Sequence, residues 1–174
     1  SDHSWESFAE LLRQSGVQVL VDTRSNPASR YAPWAAARGL PALLDGEGVR
    51  YVFLGDALGG KPSDSSLYDR KGKPDYRKIR SSPAFHLGLK EMLETADDGP
   101  VVLMCAEEDP SKCHRRLLIE PALLDRGVST VDRVSQARAT LAAAQASVGG
   151  RRPPRRRNGC GRSRTAASGS GICR

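Results

Sequence analysis

Trp5, Phe8, Leu11 and Leu12 recur at helical spacing behind Ser4. The pattern predicts an amphipathic helix with Ser4 as its N-cap, Glu6 and Glu10 suiting its start, and Gly16 as its stop. A short β-branched run at 17–21 reads as a buried parallel strand. It breaks into the polar cluster Asp22-Thr23-Arg24-Ser25-Asn26-Pro27. Residues 34–44 again show a helical pattern, which Pro41 should kink or shorten, and a second strand follows at 49–54. The polar stretch 55–82 reads as one long loop, and loops of that length in compact domains are usually functional or mobile. Ser81 or Ser82 is placed to cap a helix over 83–96, with Pro83 in its first turn. An apolar run at 101–104 predicts a third strand. A polar loop then leads into a helix over 113–126 that Pro121 interrupts and Gly127 ends. A fourth strand at 128–134 and an Ala-rich helix at 136–148 complete the pattern.

Strands that alternate with helices predict a small Rossmann-like three-layer α/β fold with a mostly parallel sheet. With 174 residues and 39% hydrophobic content, the chain can bury one such core, assigned here to residues 1–148. From 149 onward the composition shifts to Arg, Gly, Pro and Ser, with Ile172 the one large aliphatic residue. Such a segment is expected to be a disordered tail. No run reaches the ~18 apolar residues of a membrane span and no secretory signal is visible, so a cytoplasmic protein without a membrane partner is expected. The four cysteines do not read as a disulfide framework, which belongs to small secreted domains with little other core.

Charge changes the picture only when it is divided. The net charge is +7, but residues 149–174 hold eight arginines and no acid. Residues 1–148 carry 19 basic and 20 acidic side chains. The folded part is therefore near neutral, and electrostatic binding of nucleic acid is expected through the tail only.

Candidate chemistry gathers at strand ends, where open α/β sheets bind ligands. Cys113, His114 and Arg115 stand where a helix should begin, a position that lowers a thiol's pKa. Cys113 is thus a candidate nucleophile and His114 a candidate acid or base. Neighbours on a helix point about 100° apart, however, so the two need not act together. Cys105, Cys113 and His114 are suitable zinc ligands with Glu107 to complete them. The seven residues between the cysteines are not a zinc-knuckle spacing, so no metal and no cofactor is assigned, and Cys105 reads as a buried structural thiol. Asp22, Arg24, Ser25 and Arg30 follow the first strand. With Gly59, Gly60, Lys61 and Arg115 they form a candidate ring around a small anionic ligand. Asp22 and Arg24 can instead pair with each other as a loop brace. No phosphate-binding GxxxxGK[ST] loop is present. Tyr68 and Tyr76 are suited to pin the long loop to the domain.

The ordered motifs Asp22-x-Arg24-Ser25-x-Pro27-x-Ser29-Arg30, Leu58-Gly59-Gly60 and Cys105-Ala106-Glu107-x-x-Pro110-x-x-Cys113-His114-Arg115 together resemble the bacterial and archaeal DUF488 family, from about residue 1 to 134. The resemblance implies a compact α/β domain of Rossmann-like layering and a site without a settled reaction. It also favours Glu107 over Glu108 as a catalytic carboxylate. Relatives usually begin with a strand that leads into a Gly-His-Ser turn before the first helix. This chain starts around that turn, so it reads as a fragment lacking that strand. Where the family commonly has Arg after the two glycines, Lys61 keeps the charge but not bidentate recognition.

The expected function is a sheet-edge pocket for an anionic, phosphate- or nucleotide-like ligand, with Cys113, His114 and Glu107 as catalytic candidates if it is an enzyme. A non-catalytic binding module using the same pocket, and a nucleic-acid-associated protein acting through its tail, are the alternatives.

Overall fold

The computed structural model describes residues 4–107 and 109–130, which belong to the first of two units, Ser1–Thr130. Helix α1, Trp5–Gln14, starts where the Ser7 N–H donates to the Ser4 hydroxyl at 3.3 Å, and it ends at Gly16, whose φ of 60° closes the turn. Three strands follow along the chain: β1 is Val19–Asp22, β2 is Arg50–Phe53 and β3 is Val101–Met104. They form one all-parallel sheet in the order β2-β1-β3, with Val19 opposite both Arg50 and Val101. This is the α/β architecture that the alternating pattern predicts.

Strand side chains alternate between the two faces, and a different cluster covers each. Leu20, Tyr51, Val102 and Met104 pack with Leu12 and with helix α2, Leu40–Asp45, while Trp5, Phe8 and Trp34 close the edge. Val19, Val21, Val52, Val101 and Leu103 face the other way, against Leu58, Phe85, Leu89, Leu118 and Ile119. These come from helix α3, Gly55–Leu58, helix α5, Pro83–Thr95, and the segment after residue 113. The central strand β1 is buried throughout, so both layers rest on it. No helix among the described residues is long and apolar enough to cross a membrane.

Both prolines that conflict with a helical pattern are resolved in the backbone. Residues 34–44 are not one helix: a 3₁₀ turn at Pro33–Ala35 precedes α2, and Pro41 stands in the first turn of α2. The proline marks a start because no N–H is needed there. At Pro121 the chain instead winds as a π-turn over Arg115–Ile119, with the Glu120 N–H bonded to the Arg115 carbonyl, before helix α6 at Glu120–Leu124. In an α-helix Pro121 would leave the Leu117 carbonyl without its donor and press its ring against it; a wider turn relieves both.

The stretch 55–82 is not one irregular loop. It holds α3, a 3₁₀ turn at Ser65–Leu67, a bridge between Tyr68 and Pro74, and helix α4 at Tyr76–Arg80 capped by Asp75. Local side-chain acceptors on Asp64, Asp69 and Asp75 build these turns. Of the predicted strand at 128–134, residues 128–130 are irregular. Its remainder, the helix at 136–148 and the tail lie outside the described residues.

Candidate functional site

The carboxyl ends of β1 and β3 are tied by a single residue. The Thr23 N–H and hydroxyl both donate to the Met104 carbonyl, at 3.1 and 2.8 Å. Cys105 follows β3 directly, and the loop after it turns back through Asp109 and Pro110. This return delivers Cys113 and His114 beside Cys105, with one donor atom from each of the three within 4.8 Å of the others.

The imidazole is fixed on both nitrogens. His114 Nε2 lies 3.0 Å from the Thr23 carbonyl and 3.1 Å from the Thr23 hydroxyl oxygen. That hydroxyl gives its hydrogen to Met104, so both Thr23 atoms act as acceptors and Nε2 carries the proton. The lone pair of Nδ1 then faces Cys105 Sγ at 3.4 Å. Burial pushes the His114 pKa down, which favours this neutral form.

Each sulfur has its own donor. The Glu107 backbone N–H donates to Cys105 Sγ at 3.3 Å, and Arg115 Nε donates to Cys113 Sγ at 3.1 Å while its NH1 holds the Leu103 carbonyl at 2.8 Å. The contact with the Cys105 thiol, helped by Arg115, pulls the Cys113 pKa down; the same contact and burial push Cys105 up. Negative charge in the pair therefore settles on Cys113. Cys113 is 1% exposed, whereas Cys105 is half-buried. Of the two cysteines, Cys105 is the more exposed residue, while Cys113, the candidate nucleophile of the sequence, is buried.

The other site candidates divide. Asp22 and Arg24 form the brace: Arg24 Nε and NH2 donate to the two Asp22 carboxylate oxygens at 2.8 and 2.6 Å, and NH2 also holds the Ala35 carbonyl. Their side chains are 0% and 4% exposed, and the Tyr51 hydroxyl donates to Asp22 at 2.9 Å. Burial opposes the charge on Arg24, but the Asp22 carboxylate outweighs it and raises the Arg24 pKa. Ser25 accepts the Lys61 N–H at 3.0 Å, so the first and second motifs do meet. Arg30 is exposed, and no hydrogen bond or ion pair among the described residues ties it to the cluster. Glu107 joins through its backbone, while its carboxylate accepts the Asp109 N–H at 3.2 Å.

Gly59 and Gly60 fit because nothing larger would. A Cβ on Gly59 would overlap the Gly55 carbonyl and the Ser25 hydroxyl, and one on Gly60 would lie 2.8 Å from His114 Cβ and 3.0 Å from Cγ. Gly60→Ala is therefore expected to cost about 1–3 kcal/mol as His114 is forced aside, read as a lower Tm together with shifted imidazole proton resonances. A cavity of about 110 Å³ is lined by Lys61, Pro62 and Ser63, which follow this turn in the chain, and by Ser25, Gly55 and Asp56. A larger, open hollow of about 560 Å³ beside α2 and the start of β2, with Asp45, Arg50 and Tyr51 in its lining, contains no residue of the three motifs, whereas the smaller one includes Ser25 and the Lys61 that follows the two glycines.

A profile described as "Domain of unknown function DUF488" matches residues 4–122, more than half of the chain, and spans every residue of this cluster. The chain belongs to the DUF488 family. No curated protein and no solved structure matches it. The three motifs that carry the family resemblance are the three segments that meet here. Sequence reasoning missed two residues of this DUF488 cluster and its brace. Thr23, wholly buried, orients His114, and Tyr51 completes the brace. Tyr76, which the sequence offers as a pin for the long loop, packs from α4 against the larger core cluster, and burial raises its pKa. Its place in the polar cluster that follows the predicted strand at 17–21 was the one available signal for Thr23.

Proposed function

We propose that this DUF488 domain binds a small anionic, phosphate-like ligand at the carboxyl edge of its sheet and presents it to the cysteine–histidine cluster. The carrying observation is the cavity lined by Ser25 and Lys61, residues whose own hydrogen bond holds the end of the glycine turn that lies close to His114. Lys61 supplies positive charge and Asp56 a carboxylate that opposes it, Ser25 and Ser63 supply hydroxyls, and a volume near 110 Å³ suits a single tetrahedral anion. Arg115 adds a fixed cation against the sulfurs. The Asp22–Arg24 pair serves this rim as a brace, since its charges are already matched. Cysteines 105 and 113 are both free thiols, which suits a reducing compartment, the cytoplasm. If the ligand is turned over, the sulfurs and imidazole of the cluster supply the electron pairs.

Inorganic phosphate, sulfate and AMP test the reading by thermal denaturation. Saturation at ~100 times Kd stabilises by about 2.7 kcal/mol and raises the Tm by several degrees. Lys61→Ala, on an exposed side chain, should abolish the rise while leaving the unliganded Tm unchanged. A Tm indifferent to all three anions would sink the proposal.

A further inference from the structure

We propose that Cys105, Cys113 and His114 form a three-ligand site for one zinc-type divalent cation, with a fourth position left for an exchangeable anion or water. A tetrahedral zinc centre requires sulfur–nitrogen separations of about 3.5 Å and a sulfur–sulfur separation of about 3.8 Å. Cys105 Sγ and His114 Nδ1 are already 3.4 Å apart, and all three donor atoms fall within 4.8 Å. The nitrogen turned toward the sulfurs is the one with a lone pair, because the Thr23 carbonyl takes the Nε2 proton. Metal-binding histidines are held in this way, with the remote N–H on a carbonyl or carboxylate. Both sulfurs also have an N–H donor, from Glu107 and from Arg115, the kind of support that stabilises bound thiolates. The seven-residue spacing that argues against a knuckle is no obstacle, since one ligand follows a strand and the other two arrive on the returning chain.

Binding balances simply. Each thiol releases one proton as its sulfur donates an electron pair to the cation, and the neutral imidazole donates its Nδ1 pair without releasing any. Two thiolates neutralise the divalent cation, and the adjacent Arg115 guanidinium leaves the centre net positive. An anion is thus the favoured fourth ligand. That last step rests on the function proposed above; uptake of the metal does not.

Cobalt(II) tests the site in the reduced full-length chain carrying Cys160→Ser and Cys173→Ser, which remove the remaining two thiols. The expected result is uptake of one equivalent, with tetrahedral visible bands and near-ultraviolet sulfur-to-cobalt charge transfer, and displacement by zinc. Cys105→Ser and Cys113→Ser should each weaken binding by at least ~100-fold. Should Cys113→Ser unfold the domain, the half-buried Cys105→Ser decides. Absence of charge transfer, or undiminished affinity in Cys105→Ser, overturns the proposal, as does a reduced protein that forms a Cys105–Cys113 disulfide in air but takes up no metal. Thermal shifts with inorganic phosphate, run on metal-loaded and chelator-treated protein, separate the two readings. Metal uptake without a phosphate shift defeats only the anion function, and a phosphate shift without metal uptake defeats only the metal site.

Discussion

Replacing Asp22 with Ala is expected to lower the folding free energy by about 3–5 kcal/mol, because it leaves the Arg24 guanidinium buried without a counter-ion. The pair is 0% and 4% exposed, so water cannot take over. Four donors converge on this carboxylate: the Arg24 backbone N–H, two nitrogens of its side chain, and the Tyr51 hydroxyl. Urea denaturation checks the expectation as a lower midpoint at unchanged slope. Combining Asp22→Ala with Arg24→Leu should recover part of the loss, since the stranded charge is then gone. Glu10→Ala supplies the contrast: the Glu10–Arg13 pair is about half exposed on both sides, and stability should not change measurably.

Leu58→Ala is expected to cost about 2–5 kcal/mol through the cavity it opens. Leu58 is fully buried with Phe85 and Leu89 in the larger core cluster, and its side chain lies against Gly88 of α5. It also immediately precedes Gly59 and Gly60, so it anchors the turn that lies on His114. The variant should therefore show a functional defect beyond its stability loss: where the fold persists, phosphate should raise its Tm less than that of the parent. An undiminished shift would mean that the glycine turn is held by its own backbone contacts.

Much of this organisation is legible in the chain, and the failures have physical causes. The strand at 101–104 and the capped helices at residues 5 and 83 follow from local periodicity and end signals, which act over a few residues. Pro41 announces a conflict but not its resolution, because a proline can begin one helix as readily as it breaks another. The angular argument that separated Cys113 from His114 assumed that both lie on the helix. Cys113 precedes it in irregular backbone and is free to face the same side. Cys105 looked structural because the residues before it are apolar, yet it stands just beyond the end of β3 and is only half-buried. Whether Arg24 faces a ligand or Asp22 depends on the Ala35 carbonyl and the Tyr51 hydroxyl, supplied by distant segments. No local pattern carries that information.

The close seat of Gly60 against the His114 ring has a consequence for the kind of work this imidazole can do. A side chain held at Nε2 by Thr23, with Gly60 so near that a Cβ there would meet its Cβ and Cγ, has little room to swing. It cannot ferry a proton between the interior and bulk solvent as a rotating histidine does. If the proposed site turns a ligand over, the reactant must be brought to Nδ1, and the rate would be gated by that arrival and not by the motion of the residue that meets it.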